Sequence, residues 1–508
     1  MKYGSWSTAA PGRRCSVATL RCFATILGFG FAMQAKLALA AAPTLVIPSP
    51  DSFDQPNQAA SQNGPFDFVH NLSRDAYFFG DMWGLRSTLA KYGITFALEE
   101  TSEYLANVTG GSRTGGDYDG LLQMGLQVDT QRAFGWYGGT FNVSALQYHG
   151  RSLSADNLMT LQTASGIEAD RSTRLWELWY QQKFLEEDRL DVKIGQQSLD
   201  QEFMVNPNGA YLINTMFGWP MVPSVDMPGG GPAYPLSALG VRVRYRPVDA
   251  LNILAGVFNG SPSPSGNMQC CSGDPQVQDP SGTSFPLNGG VLMIIEAQYI
   301  YPSLGTMMYP DQPQPLSRVY KIGAWYNTES FADQQFSNDG LSLASPNSNG
   351  IPLSHHGDWG FYATADQMIW MDSEESDHNV NVFGRVLFAP RADRNLVTFS
   401  MNAGLTVHEP FKHRDDDTFA IGMGFAKVSG AASALDQATA LNSGTFFPVR
   451  TSETYLEMTY QYQVAPWWQI QPDIQYVFNP GGGVLNPNDP GTTIKNELVL
   501  GVRTNILF

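Results

Sequence analysis

The sequence predicts an all-β fold: a transmembrane antiparallel β-barrel of about 16 strands, with a short N-terminal lead-in. Three observations predict it. The chain begins with an export segment, most of the remainder alternates between apolar and polar residues, and only 15% of the 508 residues are charged. Soluble globular proteins carry about 25% charged residues. No later stretch has the roughly 18 consecutive apolar residues of a membrane helix, so a closed barrel is the remaining way to span a bilayer.

Residues 1–40 have the pattern of a secretory signal peptide. Arg13, Arg14 and Arg21 precede an apolar run over residues 22–33, and Ala-Leu-Ala at 38–40 supplies a cleavage pattern of small residues. Cleavage after residue 40 is therefore predicted.

Removal of this segment leaves a strongly acidic chain. The mature protein would carry 25 Lys and Arg against 47 Asp and Glu, a net charge of −22. This charge argues against nucleic acid as a partner and against a general anion channel. Cys270 and Cys271 are then the remaining cysteines, and they either form a vicinal disulfide or lie free in a loop; the loop interpretation is favoured because strained bridges are rare.

Residues 41–92 form the predicted N-terminal arm and lead-in. Residues 41–70 are rich in Pro, Ser, Gln, Asn and Asp, whereas residues 71–92 resemble an ordered segment with one helix at about residues 83–91. The barrel itself is predicted over residues 93–508.

From residue 93 onward the period of the sequence is two, which is typical of a strand between an apolar and a polar environment. A clear example is "LLQMGLQVD" at 121–129, whose apolar face is formed by Leu122, Met124, Leu126 and Val128. About sixteen such segments follow one another, an even number as expected for a bacterial outer-membrane barrel. If both chain ends lie in the periplasm, the short "PRADRN" connection (390–395) would be extracellular and the longer "EPFKHRDDDT" connection (409–418) would be periplasmic. Outer-membrane barrels usually have short periplasmic turns and longer extracellular loops. Because this order is inverted here, the predicted number of strands could differ by two.

Aromatic residues gather at the predicted strand ends, as the two interfacial girdles of a membrane barrel require. Examples are Trp136, Tyr137, Tyr299, Tyr301, Trp467, Trp468, Tyr476 and Phe478. The alternative is that they fill a soluble core. The last strand ends in Phe508, which is similar to the terminal signal read by the barrel assembly machinery.

The segment "LGVRVRYRPV" (239–248) places Arg242, Arg244 and Arg246 on one face of a strand and apolar residues on the other. An arginine on the lipid face near the bilayer midplane costs about 2–4 kcal/mol. Three would cost roughly 6–12 kcal/mol, so these arginines are predicted to line an aqueous lumen.

The same alternation assigns further residues to the lumen. In "TRLWELWYQQ", Glu177 and Trp179 face inward, opposite Trp176, Leu178 and Tyr180. The other predicted pore-lining residues are Glu99, Glu103, Glu296, Lys321, Trp325 and Arg385.

Mixed arginine and carboxylate groups beside tryptophan suit a neutral solute rich in hydroxyl groups, because charged groups hydrogen-bond hydroxyls and an indole packs on the apolar face of a sugar ring. The alternative is that these charges only solvate and brace the wall. The loop at 201–236, rich in Pro, Gly and aromatic residues, is predicted to fold into the barrel mouth against Arg242 and Arg244; it could instead cap the rim.

No enzyme is predicted, since catalytic sequence motifs are absent. The histidines at 355–356 and 413 lie near aspartates, but neither group has the ligand spacing of a metal site, and no cofactor is expected. The alternative to a channel for neutral solutes rich in hydroxyl groups is a general small-solute porin. An adhesin or an outer-membrane hydrolase is a more distant alternative.

Six segments in order along the chain are similar to the OprB-type carbohydrate-selective porins. They are "DMWGLRSTLAKYGITFALEETSEYLANVTGG" (81–111), "WELWYQQKF…LDVKIGQQSLDQEF" (176–203), "YKIGAWYNTESFADQQF" (320–336), "GFYATADQMIW" (360–370), "ADRNLVTFSMNAGLTV" (392–407) and "VAPWWQIQPDIQYVFNPGG" (464–482). The resemblance implies a sixteen-stranded barrel in outer-membrane lipid that passes glucose and related neutral sugars. A homo-oligomer is compatible with the sequence.

Overall fold

The computed structural model describes residues 45–53, 76–264, 274–287, 289–302, 316–372 and 378–508. The predicted signal peptide and the Cys270–Cys271 pair lie outside these residues. Sixteen strands are present in the described chain. They are β1 (Ile94–Gly111), β2 (Gly115–Asp129), β3 (Gly139–Gly150), β4 (Thr173–Phe184), β5 (Leu190–Gln197), β6 (Ala238–Val248), β7 (Leu251–Asn259), β8 (Val291–Tyr301), β9 (Arg318–Ser337), β10 (Pro352–Met371), β11 (Asn379–Phe388), β12 (Val397–His408), β13 (Thr418–Val428), β14 (Ser452–Ala465), β15 (Trp468–Phe478) and β16 (Lys495–Leu507).

These strands form one closed antiparallel barrel in which every strand pairs with its sequence neighbours. The last strand closes the barrel against the first, with a register that runs from Glu99 opposite Leu507 to Gly111 opposite Lys495. The prediction of a sixteen-stranded transmembrane barrel is confirmed. Closure removes the unpaired sheet edges that an open sheet would expose.

The two-residue period separates an inner from an outer face on each strand. On β9, Lys321 and Trp325 are buried inside, whereas Tyr320, Ile322 and Tyr326 are exposed outside. Among the described residues, no helix combines the length and the apolar character needed to cross a membrane.

The longest connections lie at the rim opposite the chain ends, the rim that is extracellular in outer-membrane barrels. They include residues 151–172 and 198–237. The short connection at 389–396 lies at this rim and the longer one at 409–417 lies at the other. Extracellular connections are usually longer than periplasmic ones. At these two connections the order is reversed, although the strand number is sixteen.

Five α-helices occur in the described connections: α1 (Leu85–Lys91), α2 (Thr130–Phe134), α3 (Met221–Asp226), α4 (Pro275–Gln278) and α5 (Gly430–Ser443). The first packs at the periplasmic end of the barrel seam. Its Arg86 is 2% exposed and donates to the carbonyl oxygen of Phe96, at 2.9 Å, and to the backbone oxygen of Phe508. The amide of Phe508 in turn donates to the carbonyl of Leu98 at 2.9 Å, so the lead-in and the chain end are joined to β1.

Aromatic rings follow the outer surface near the strand ends. Near the extracellular rim, rings on β10 to β13 contact one another in sequence, with centroid separations of 4.9–6.1 Å. They belong to Trp359, Phe361, Phe388, Phe399 and Phe425. Tyr299 stacks on Tyr320 near the other rim. This arrangement fits interfacial girdles.

The predicted outward position of Trp176 is wrong. A register shift between Ser144 and Ala145 inserts an extra residue into β4, so that the alternation changes phase beside Glu177. Trp176 is 4% exposed and packs edge-on against Tyr234. A β-bulge of this kind redirects one side chain without ending the strand.

Two connections fold into the barrel rather than over its rim. We name residues 151–172 inner loop A and residues 198–237 inner loop B. They bond to each other inside, with the amides of Gly166 and Thr215 donating to the carbonyls of Ile213 at 2.8 Å and Thr163 at 3.2 Å. The main apolar cluster forms where inner loop B meets the inner faces of β7 to β15, and it includes Phe217.

Candidate functional site

Inner loop B is anchored on one side by inward-facing residues of β8, β9 and β11. Glu296 accepts the amide of Met204 at 2.8 Å, and Lys321 donates to the carbonyl of Val205 at 2.7 Å. These predicted pore-lining residues therefore bind protein backbone. Trp325 is 3% exposed, within the main apolar cluster.

Arg385 is the most heavily used anchor of this loop. One terminal nitrogen donates to the carbonyls of Met204 and Gly218, each at 2.7 Å, and the other donates to the carbonyl of Met216. A guanidinium presents several donors in a fixed plane, which suits a fold of backbone whose carbonyls converge. Arg385 therefore holds the backbone of inner loop B in place and does not face open water.

The opposite wall anchors both inner loops through carboxylates on β14. Glu457 accepts the amides of Ile213, at 2.5 Å, and Asn214, at 3.0 Å. Glu453 accepts the amides of Leu161 at 2.8 Å and Gln162 at 2.7 Å, both from inner loop A. Inward carboxylates thus satisfy the backbone amides that a buried loop would otherwise leave without acceptors.

Between these walls, five charged residues form what we name the charged cluster: Asp191, Lys193, Glu202, Arg242 and Arg244. Arg242 binds Asp191, and its Nε lies 2.6 Å from Glu202 Oε2. Lys193 also binds Glu202. Arg244 Nε lies 2.6 Å from the second oxygen of Asp191. Strands β5 and β6 supply four members, and Glu202 comes from inner loop B.

Glu202 is the contact between this loop and the arginine face of β6. Burial alone would raise the pKa of its carboxyl, but the neighbouring Lys193 and Arg242 outweigh burial and lower the pKa to about 2. Glu202 therefore stays ionised throughout the physiological pH range, close to the cations of the cluster.

Glu177 and Trp179 border the charged cluster from β4. Glu177 accepts the amide of Ser198, the first residue of inner loop B, at 3.0 Å. The ammonium of Lys193 lies 4.5 Å from the ring centroid of Trp179, a cation–π distance. Trp179 is only 9% exposed, so one of its ring faces is already covered.

The three predicted arginines of β6 differ in exposure. The side chain of Arg242 is 2% exposed, whereas that of Arg244 is 43% exposed. Arg246 lies nearer the rim and donates to the carbonyl of Glu187. Arg244 and Arg246 line a cavity of about 230 Å³ together with Asp188, Arg189, Asp249, Asn252, Ile300 and Pro302.

The two glutamates predicted on β1 lie on a different part of the wall. Glu103 is buried and binds Arg503 of β16 across the barrel seam. Glu99 lines a cavity at the periplasmic mouth with Val46 of the N-terminal arm and Trp467. They do not join the charged cluster.

The alternation of apolar and polar residues predicted which way these side chains point, but it did not predict the residues that they bind. Asp191 and Glu202 were not among the predicted site residues, although Asp191 is two positions from Lys193 on the same strand face. Glu202 has no periodic signal because it lies in a loop. Its only sequence signal is that it and Asp226 are the two carboxylates of the otherwise apolar segment 201–236.

Within the described parts of the chain, no group of three or more His, Cys, Asp or Glu residues is arranged to hold a metal ion. His355 instead contacts Asp333, with Nε2 2.8 Å from the carboxylate. What the interior offers is a set of paired cations and carboxylates beside an indole.

Comparison with known proteins identifies the family to which the chain belongs. The sequence profile of the carbohydrate-selective porin OprB family matches residues 113–508. Porin B of Pseudomonas aeruginosa is 24% identical over 466 residues, which cover 85% of this chain and 91% of Porin B.

Two solved structures share the barrel fold. The high-pH structure of Pseudomonas putida OprB superposes with a TM-score of 0.72 at 22% identity, covering 86% of this chain and all of that one. The low-pH structure of the same protein gives 0.52 at 17% identity, covering 86% and 99%. The match to the family profile spans most of the chain and includes the charged cluster. The chain belongs to the OprB family of carbohydrate-selective porins, channels of the bacterial outer membrane.

Proposed function

We propose that the chain passes monosaccharides such as glucose by passive diffusion, and that the sugar moves past the charged cluster. The observation that carries this proposal is the contrast between Arg242 and Arg244. Arg242 is enclosed by ion pairs, whereas Arg244 shares one carboxylate with it and leaves much of its guanidinium open. Arg244 is the group that contacts the sugar.

The chemistry of the cluster fits a neutral polyol. Arg244 offers hydrogen-bond donors, while the carboxylates beside it offer acceptors, and hydroxyl groups use both. The pairing of cations with anions keeps the local charge near balance, so an ion gains little by entering. A sugar then binds weakly enough to leave, as conduction requires.

Arg242, Lys193 and Glu177 act as positioning residues in this proposal. They bind Glu202 or the start of inner loop B and so set how closely that loop approaches Arg244. The indole ring of Trp179 contacts the ammonium group of Lys193. Four other predicted residues act indirectly, through their contacts with inner loop B: Glu296, Lys321, Trp325 and Arg385.

The experiment is sugar-dependent block of ion current through the full-length protein in planar bilayers. Arg244→Ala is expected to weaken the glucose blocking constant by about tenfold or more, because a charged hydrogen bond contributes about 1.5–3 kcal/mol when it forms. Arg318→Ala is the matched control, since Arg318 faces outward against Tyr301 at the end of β9. An unchanged blocking constant for Arg244→Ala would remove this residue from the path.

A general small-solute porin is the second candidate. Liposome swelling with glucose, sucrose and amino acids of similar size distinguishes the two. Selective diffusion predicts that glucose enters faster than an amino acid of equal volume. Equal rates ordered by size alone would favour the general porin.

Three further assignments complete the proposal. Residues 1–40 are removed as a signal peptide, the outer aromatic and aliphatic face contacts outer-membrane lipid, and Phe508 is read by the barrel assembly machinery. In the closed barrel the ring of Phe508 lies 5.8 Å from that of Phe78 and 5.6 Å from that of Phe79. Recognition of Phe508 would therefore precede docking of the lead-in.

A further inference from the structure

A second group of polar side chains lines the inner wall near the periplasmic mouth, on strands that do not carry the charged cluster. Four of them are register partners on neighbouring strands, and we name them the mouth row: Gln463 of β14, Gln469 of β15, Asn505 of β16 and Thr101 of β1. All four lie on the inner face of their strands. Paired residues on one face of a sheet lie about 4.5–5.5 Å apart, so the mouth row is a continuous polar band.

The mouth row is hydrogen-bonded along most of its length but not at its β1 end. Asn505 Nδ2 donates to Gln469 Oε1 at 3.2 Å, and Gln469 Nε2 donates to Gln463 Oε1 at 3.3 Å. At the β1 end, Asn505 Oδ1 and Thr101 Oγ1 are buried and have no hydrogen-bond partner within the described residues. The whole side chain of Thr101 is 0% exposed. Buried polar atoms in proteins are usually hydrogen-bonded, so two unpaired oxygens on paired residues need a physical explanation.

Glu99 adds a carboxylate to this wall. It lies two residues before Thr101 on the inner face of β1, in register with Gln123 of β2. Among the residues that the structure describes, Glu99 makes no hydrogen bond and no ion pair, and Arg503 of β16 binds Glu103 instead. Both amide atoms of Gln123 also lack a partner in this part of the chain, and that residue is 1% exposed. Glu99 and Gln123 therefore keep acceptors and donors for a solute.

These groups border the cavity at the periplasmic mouth, which has a volume of about 230 Å³. Its lining combines a polar set with an apolar set, the first including Glu99, Gln463, Gln469 and Asn505 and the second including Val46 and Trp467. Pockets for drug-sized ligands measure about 300–1,000 Å³, so this cavity suits a smaller solute, such as one monosaccharide.

The N-terminal arm supplies one apolar side of this cavity because it lies against the inner face of β2. A Cβ atom at Gly125 would lie 2.6 Å from Ile47 Cδ1 and 3.0 Å from Leu45 Cδ2, so the glycine is what lets the arm approach the wall. Val46, between these two residues, is 72% exposed and lines the cavity. The arm thus holds an apolar side chain beside the polar groups of β1 and β16.

We propose that this cavity is a second monosaccharide-binding site, which we name the exit site. The proposal rests on the proposed function for the identity of the solute. Glu99 and Asn505 Oδ1 accept hydrogen bonds from sugar hydroxyls, and the side-chain amide of Gln469 is both a donor and an acceptor. Val46 and Trp467 contact the apolar face of the ring. Conduction requires sites that release their solute readily, and two weak sites in series meet this requirement.

The experiment measures how fast a small thiol reagent modifies Val46→Cys in the full chain in detergent micelles, with Cys270 and Cys271 changed to Ser. Glucose is expected to slow the reaction about threefold or more once its concentration exceeds twice the dissociation constant, by mass action. Ser52→Cys is the matched control, since Ser52 is exposed on the same arm and does not line the cavity. No slowing at Val46→Cys, equal slowing at both positions, or equal slowing by an amino acid of similar size overturns the inference.

A second pair of variants tests the carboxylate in the same Val46→Cys chain. Glu99→Gln is expected to remove most of the protection by glucose, because a charged acceptor forms stronger hydrogen bonds than an amide. Glu100→Gln is the control, since Glu100 is the next residue along β1 and points outward. Protection that survives in Glu99→Gln as well as in Glu100→Gln also overturns the inference.

The two sugar sites are distinguished by Arg244→Ala, which belongs to the charged cluster. This variant is expected to keep the glucose protection of Val46→Cys while it loses block of ion current, because Arg244 does not line the exit site. In the wild-type chain, current block without protection removes the exit site alone. Protection without current block supports the exit site and removes the proposed path past Arg244.

Discussion

Arg242 and Arg244 show how two identical side chains on one strand face acquire different roles. Both point into the barrel and both bind Asp191. Only Arg242 is also within reach of Glu202, and this second carboxylate is what encloses it. A guanidinium with two carboxylates is a fixed structural element, whereas one with a single carboxylate keeps donors for a solute.

Glu202 is the residue whose loss should disturb the cluster most. Glu202→Gln leaves Lys193 and Arg242 with one fewer charge partner in a buried setting, and breaking a buried pair costs about 3–5 kcal/mol. We expect a loss of this size in the free energy of unfolding, measured with denaturant in detergent micelles. Glu187→Gln is the control: Glu187 pairs with Arg189 but is 67% exposed, so a change of less than about 1 kcal/mol is expected. Equal losses in the two variants would contradict the assignment.

At the scale of elements, the inner loops depend on anchors from many strands. Arg385→Met removes the donors of three loop carbonyls while keeping an unbranched side chain. Each buried carbonyl left without a donor costs about 1–3 kcal/mol. We expect inner loop B to become mobile and single-channel conductance to rise with added current noise.

The matched control for this variant is Arg391→Met. Arg391 is exposed in the connection between β11 and β12, so its replacement removes the same charge without touching an inner loop. A conductance trace for Arg385→Met that matches this control would show that the loop does not need the anchor.

Inner loop A contains a carboxyl group that titrates near neutrality. Burial raises the pKa of Glu168 to about 7, even though Ser152 and Ser154 donate to it. Because the folded pKa is higher than the ordinary value, the ionised form disfavours docking, and docking strengthens as the pH falls through about 7. Glu202 does not oppose this change, since its pKa of about 2 keeps it ionised.

We therefore expect amide hydrogen exchange in residues 151–172 to slow between pH 8 and pH 5, after correction for intrinsic rates, by about tenfold or more. Glu168→Gln cannot titrate and should abolish most of this difference. Exchange that is faster at pH 5, or equally pH-dependent in Glu168→Gln, would refute the role of this carboxyl.

For the whole molecule, alternation was sufficient to predict the barrel, the strand number and the inward direction of Arg242 or Lys321. It could not predict what the inward residues meet, because that depends on loops with no period. It also failed at Trp176, where a bulge shifts the phase by one residue. On β1 the alternation is interrupted at Glu100, a carboxylate at an outward position between the inward Glu99 and Thr101.

At the scale of the whole barrel, one contact at the seam involves both ends of the described fold. Arg86 of α1 donates to the carbonyl of Phe96 and to the backbone oxygen of Phe508, and its guanidinium carbon lies 3.9 Å from the ring centroid of Tyr77. Arg86→Met would leave both oxygens without these donors at the seam, at about 1–3 kcal/mol each. We expect a loss of roughly 2–6 kcal/mol in the free energy of unfolding, seen as a lower temperature for the shift from folded to unfolded mobility on gels. Lys91→Met, which removes an exposed cation from the same helix, is expected to leave that temperature within a few degrees of wild type. If the two variants unfold at the same temperature, the seam is held by strand pairing alone and Arg86 has no part in closing it.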